Sequence, residues 1–161
     1  MENKDTGFLG ETIATSHLLE LGFDILERNW RYKHLEIDII ASKESMLHII
    51  EVKTRTSIQF GYPEQMINGL KMQFLKNAAA HYQYAHPEWK WLQFDVIAIY
   101  KKPTDEWALD YFENYGRDDY HQWLIKTRGT LHNLFDDDEN LITVFINEFN
   151  KLTSETTNLY L

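Results

Sequence analysis

The chain has no cysteine, and only three prolines and seven glycines, in 161 residues. Without thiols there can be no disulfide staples and no cysteine-ligated metal, and a reducing compartment suits the chain. No apolar run approaches the ~20 residues a membrane span needs, and the opening "MENKDTGFLG" lacks the apolar stretch of a secretory leader. A soluble, cytoplasmic protein is therefore expected. Walker A, GxGxxG and nucleophile-elbow patterns are all missing, which removes nucleotide hydrolysis and serine chemistry from consideration. The seven histidines form no H-E-x-x-H or H-x₃-H pair for zinc. "DDDE" (136–139) lacks the alternation and glycine of a calcium loop and reads as a solvated helix start.

Positive charge is scarce as well. The formal net charge is -9, which weighs against a partner rich in phosphate. Distribution matters more than the sum: "ERNWRYK" (27–33) and "KTR" (53–55) concentrate cations, while much of the acidic excess lies beyond residue 115.

What the chain does have is core-forming material, with 43% hydrophobic and 14% aromatic residues. That is enough for one well-packed domain with an appended element. Leu9, Ile13, Leu18 and Leu21 recur near helical spacing from about Thr6 to Leu21, and Gly22 suits a helix C-terminus. Three strand-like segments follow: "FDILERNWRY" (23–32), "LEIDIIA" (35–41) and "MLHIIEVKT" (46–54). "SKES" supplies a hairpin turn between the last two. The unbroken apolar character of those two predicts central strands covered on both faces. Pro63 suits the first turn of a second helix over 64–85, with Ile67, Leu70, Phe74, Leu75, Ala78 and Tyr82 on its apolar face. "LQFDVIAIY" (92–100) and "WALDYF" (107–112) read as further strands. The order predicts an α/β domain over 1–115 built on a mixed sheet. Beyond it, residues 116–161 are expected to form a helical C-terminal extension, a hairpin of two amphipathic helices that packs on the domain or on a partner.

The chemistry lies in acids placed inside apolar strands. Glu51 and Lys53 share a face because strand side chains alternate. A short hairpin brings Asp38 opposite or diagonal to Glu51. Two carboxylates converging in a half-buried site repel unless a cation compensates, and hard oxygen ligands favour Mg²⁺ or Mn²⁺. Asp38 and Glu51, with the backbone carbonyl of Val52, would satisfy such an ion. Lys53 would then face a bound water and a phosphate. An isolated E-x-K pair is usually a solvated surface pair worth under about 1 kcal/mol. Here Ile49, Ile50 and Val52 surround it, and unpaired charge in a central strand is costly.

Taken together, "GETIATSHLLELGFDILERNWRYKHLEIDIIA", "LHIIEVKTRTSIQFGYPEQMINGLKMQFLKNAAAHY" and "QFDVIAIY" resemble the YraN-type family of endonuclease-like proteins. That family is placed in the PD-(D/E)xK nuclease superfamily and is distantly similar to archaeal Holliday-junction resolvases. The resemblance implies a restriction-endonuclease-like core and metal-dependent cleavage of DNA, with branched or structured DNA in recombination and repair as substrate. It also implies that Glu11 is a third acid at the metal, although an acid near a helix start is more often a dipole feature. Asp38, Glu51 and Lys53 match the family's acidic and E-x-K positions, and "NWR" (29–31) its N-x-R element. Phe60, Gly61, Pro63, Gln65 and Lys71 match its loop and following helix. Leu35 stands where the family usually carries a small residue. Arg28, Arg31, Lys33, Arg55, Gln65 and Lys71 are the candidates for contact with nucleic acid. A homodimer would suit a two-fold symmetric junction, and the C-terminal helices would offer a surface to a protein partner. The competing expectation is a non-catalytic DNA-binding or adaptor module serving a recombination or DNA-uptake enzyme.

Overall fold

A computed structural model describes residues 2–56, 67 and 69–114. The expected C-terminal helical hairpin, Gln65 and the "FG-x-P" loop lie outside them. The described residues form α1 (Glu2–Glu20), β1 (Asp24–Tyr32), β2 (Leu35–Lys43), β3 (Met46–Arg55), α2 (Gly69–Ala85), β4 (Trp91–Lys101) and β5 (Trp107–Phe112). The five strands lie in sequence order in one sheet. Neighbours are antiparallel except β3 and β4, which run parallel and are joined by the crossover that carries α2. This is the mixed α/β sheet expected from the sequence, and its layout matches a restriction-endonuclease-like core.

Each helix covers one face. Leu75, Ala78, Ala79 and Tyr82 of α2 pack on Leu35, Ile37, Ile40, Leu47, Ile49, Phe94 and Val96. Ala14 and Leu18 of α1 pack on Ile39, Ala41, Ile50, Ile97 and Ile99. Burying an aliphatic side chain of this kind contributes about 1.5–3 kcal/mol, so the doubly covered strands β2, β3 and β4 hold the domain together. Leu35, in place of a small residue, is itself buried in this core.

Helix α1 ends where expected. Gly22 adopts φ 86°, and Phe23 N donates to Leu18 O at 3.0 Å while Gly22 N donates to Leu19 O at 3.1 Å. This is a Schellman closure, with buried Phe23 and Leu18 supplying its apolar contact.

The apolar faces of both helices differ in part from expectation. Leu9, Leu19 and Leu21 are exposed, and α1 instead buries the line Gly10, Ala14 and Leu18. Close approach decides this: a Cβ on Gly10 would overlap the Thr54 hydroxyl, so small residues let α1 sit down on β3. On α2, Leu75, Ala78 and Tyr82 are buried as expected, joined by Ala79 and Ala80, whereas Leu70 and Phe74 are exposed.

Candidate metal and phosphate site

The site lies where the sheet splits. Pairing between β2 and β3 ends at Ile39 and Ile50. Beyond that point β2 pairs with β1 alone, and β3 continues only alongside β4. Asp38 occupies the fork. Its Oδ2 accepts a hydrogen bond from Val52 N at 2.8 Å, filling the place a ladder bond would have taken. The faces of β2 exchange across it: Ile37 packs under α2, and Ile39 packs under α1. On β1, Asn29 falls between the partners of Ile37 and Ile39 and takes a left-handed φ of 51°. Asparagine tolerates that conformation better than most residues. A row of polar residues thus crosses three strands: Asn29, Asp38 and Glu51.

Glu51 is buried, and its Oε1 accepts from Lys53 Nζ at 2.8 Å and from Lys71 Nζ at 3.2 Å. Lys53 comes from the same strand face, as alternation requires. Lys71 comes from α2, so the structure brings a residue picked for phosphate contact onto a carboxylate. Oε2 of Glu51 is, among the described residues, the buried side-chain polar atom with no hydrogen-bond partner. Such a carboxylate oxygen costs about 1–3 kcal/mol or more if left bare. Beside it, burial and then the charge of Glu51 push the Asp38 carboxyl up to about 7, against the opposing pull of the Val52 amide and Lys71.

Glu11 lies nine residues into α1, well past the first turn, so the helix dipole does not account for it. Its Oε2 accepts from Asn29 Nδ2 at 2.9 Å and lies 3.9 Å from Arg28. It adds a weaker negative influence on Asp38 from across the fork. Among the described residues no three acidic or imidazole side chains gather as a ready metal cluster. Asp38 and Glu51 are the close pair, and Glu11 is tethered to β1. Between α1 and the end of β3 lies a cavity of about 740 Å³ lined by Thr6, Glu11, Lys53, Thr54, Arg55 and Thr56, among others; Glu11 and Lys53 reach it, whereas Asp38 and Glu51 do not line it.

The remaining cations are dispersed. Arg31 is exposed and pairs with Glu36 at 3.2 Å across the β1–β2 ladder. Arg55 donates to the carbonyl of Thr54. Lys33, in a left-handed turn residue, lies over the ring of Tyr32 at 5.5 Å.

One buried constellation escaped sequence reasoning. Asp95, in β4, accepts from Tyr111 OH at 2.7 Å, Gln93 Nε2 at 2.8 Å and Asn114 N at 3.0 Å, and it pairs with His48 Nδ1 at 2.6 Å. The His48 ring meets Phe23 edge-on at 4.7 Å. Burial and the Asp95 charge raise the Tyr111 phenol well above its ordinary range, keeping it a donor. The available signal was an aspartate inside the apolar run "QFDVIAIY", the same signal that singled out Asp38.

A mixed five-stranded sheet between two helices, forked over a carboxylate pair and two lysines, defines an α/β protein with a restriction-endonuclease-like core. The chain belongs to the Uncharacterised protein family UPF0102, whose model matches residues 10–99. It is 41% identical over 113 residues to a UPF0102 protein of Flavobacterium psychrophilum, an alignment covering 70% of this chain and 94% of that one. A UPF0102 protein of Chlorobaculum parvum is 41% identical over 108 residues, covering 66% and 84%. One from Clostridioides difficile is 40% identical over 105 residues, covering 62% and 89%. Among the described residues no helix is long and apolar enough to cross a membrane.

Proposed function

We propose that this protein is a divalent-metal-dependent endonuclease of the PD-(D/E)xK kind, hydrolysing phosphodiester bonds of branched or structured DNA. The observation that carries this reading is the state of Glu51: one oxygen shared by two lysines, the other buried without a partner, next to Asp38 pushed up to about 7. Such a pair fits Mg²⁺ or Mn²⁺, since Mg²⁺ takes one or two carboxylates and keeps several waters. Asp38 and Glu51 would hold the ion, with Glu11 in support from across the fork. The ion would supply positive charge to the carboxylates and Lewis acidity to a phosphate oxygen and a water.

Lys53 stands at the edge of the pair, placed to donate to a phosphate oxygen or to hold the attacking water. Lys71 adds a second cation from α2 and stabilises negative charge building on the phosphate. The cavity between α1 and the end of β3, with its threonine hydroxyls and Arg55, gives the strand a polar bed. Arg28, Arg31 and Lys33 extend cationic contacts along β1 and its turn, and Gln65 belongs to the same proposal. The net charge of -9 makes binding depend on this local clustering and on metal. A homodimer would place two sites on a two-fold junction, and the segment beyond residue 115 is proposed to contact a protein partner.

The test is cleavage of labelled single-stranded, duplex, flap and four-way-junction DNA with Mg²⁺, Mn²⁺ or EDTA. Wild type runs beside Glu51→Ala and Lys53→Ala. Metal-dependent cutting by wild type, abolished in both variants, is the expected result. Binding without cutting under every metal condition would overturn it in favour of a non-catalytic adaptor.

A further inference from the structure

A strand places consecutive side chains on opposite faces of its sheet. β1 breaks that rule at Asn29. Arg28 pairs with Ile39, which packs under α1, and its guanidinium lies 3.9 Å from Glu11 Oε2 on that helix. Asn29, the next residue, also reaches α1: its Nδ2 donates to the same oxygen at 2.9 Å. Trp30 then turns to the other face, pairing with Ile37 and meeting Tyr82 of α2 edge-on at 5.6 Å. Two neighbouring side chains thus converge on one carboxylate from one side of the sheet.

The backbone of Asn29 makes this possible. Its φ is 51°, in the left-handed region, although it lies inside β1. The other non-glycine residues with positive φ among the described residues, Lys33, Glu44, Asp105 and Asn114, lie in turns, where reversal of the chain accounts for them. Asn29 reverses no chain. A left-handed residue in mid-strand is unfavourable unless its surroundings fix it, and such outliers gather at functional sites. The contact that Asn29 makes is with Glu11, and it stands opposite Asp38, between the pairs Arg28–Ile39 and Trp30–Ile37.

Glu11 is set down on the sheet by its neighbour. A Cβ on Gly10 would overlap the Thr54 hydroxyl, so the position of α1 over β3 is fixed there. The remaining freedom of Glu11 lies in its own side-chain torsions, which the contacts from β1 restrict. Among the described residues Glu11 joins no three-acid metal cluster with Asp38 and Glu51. Its place across the fork suits the water shell of an ion at that pair, and Mg²⁺ keeps several waters.

We infer that Asn29 is a positioning residue of the metal site: its left-handed backbone turns its amide onto Glu11 and, with Arg28, holds that carboxylate across the fork from Asp38 and Glu51. This rests on the metal-dependent reading proposed above and adds to it a residue that acts through Glu11. Asn29→Gly isolates the effect, because glycine adopts the same φ without strain and lacks the amide.

The experiment measures Mn²⁺ affinity of the full chain by isothermal titration calorimetry, with thermal melting in EDTA as the check on folding. Wild type, Asn29→Gly, Glu11→Ala and the double variant form a cycle that isolates the coupling of the two residues. Asn29→Gly is expected to weaken Mn²⁺ binding roughly tenfold, the low end of what partners of metal ligands contribute, with a metal-free Tm close to wild type. In the Glu11→Ala background the same change is expected to have no further effect. A residue that merely supports the strand weakens binding equally in both backgrounds, and that result overturns the inference. An Asn29→Gly protein that does not fold overturns it as well, by making the residue structural. Wild-type affinity in Asn29→Gly or in Glu11→Ala, with binding lost in Glu51→Ala, overturns the positioning role and leaves the metal reading standing. Wild type that takes up no Mn²⁺ at millimolar concentration overturns both.

Discussion

Asp38 and Asp95 present one sequence feature in two environments. Each is an aspartate inside an apolar strand, and the two strands flank β3 on either side. Asp95 is buried and meets four polar groups, two at each carboxylate oxygen. Asp38 has one backbone donor and a like-charged neighbour, and that neighbour keeps a bare oxygen. The difference separates structure from chemistry. A carboxylate whose acceptor sites are filled by the protein stabilises the fold. A pair left repelling and under-satisfied is held by the rest of the fold and is ready for something brought from outside.

The comparison is broken most forcefully at Asp95. Asp95→Ala strands Tyr111, Gln93, His48 and the Asn114 amide, and should cost about 3–5 kcal/mol in urea unfolding. Asp38→Ala should cost nothing, or raise stability, in the same assay above pH 7. Equal losses in the two variants would mean that both aspartates are structural.

Titration sharpens it. The native carboxyl of Asp38 has been pushed up from 3.8 to about 7, so between those values the folded protein holds a proton that the unfolded chain has released. Stability contributed by this group is fully present below about pH 4 and is lost as pH rises through about 7. The slope is at most about 1.4 kcal/mol per pH unit. Asp38→Asn should flatten that part of the profile, and Asp95→Asn should leave it in place.

Metal separates the two aspartates next. Mg²⁺ or Mn²⁺ at a hundredfold excess over its dissociation constant should stabilise wild type by about 2.7 kcal/mol. The accompanying rise in Tm should grow from pH 6 to 8 as the Asp38 proton leaves, and vanish in Asp38→Ala and on adding EDTA. The smallest effect is expected at the surface. Arg31→Ala breaks an exposed ion pair with Glu36 and should change stability by less than about 0.5 kcal/mol, while lowering affinity for DNA at low salt.

Much of the fold was legible because its signals are local. The β-branched runs, the Gly22 stop and the "SKES" turn each act within a few residues, and they yielded the element order and the mixed sheet. The helix faces were less legible. Leu18, Leu75, Ala78 and Tyr82 are buried as their spacing predicts. Leu9, Leu21, Leu70 and Phe74 face water, because Gly10 and Ala14 of α1 and the alanines of α2 sit beside them at the closest approach to the sheet. Contact distance decided which part of the apolar stripe is buried. In the site, the pairing of Glu51 with Lys53 follows from strand alternation. The arrival of Lys71 on the same oxygen does not, since it depends on where the crossover sets α2 down.

By itself, then, the sequence determined the strands, the C-terminal end of α1, the family and the acids worth attention, since propensity, periodicity and motif spacing are properties of neighbouring residues. Only the tertiary structure decided which buried aspartate is satisfied. The partners of Asp95 come from β3, β4, β5 and the chain just beyond, and those of Asp38 from across a fork in the sheet. Hydrogen-bond satisfaction counts neighbours in space, and the chain brings those neighbours together only when it folds.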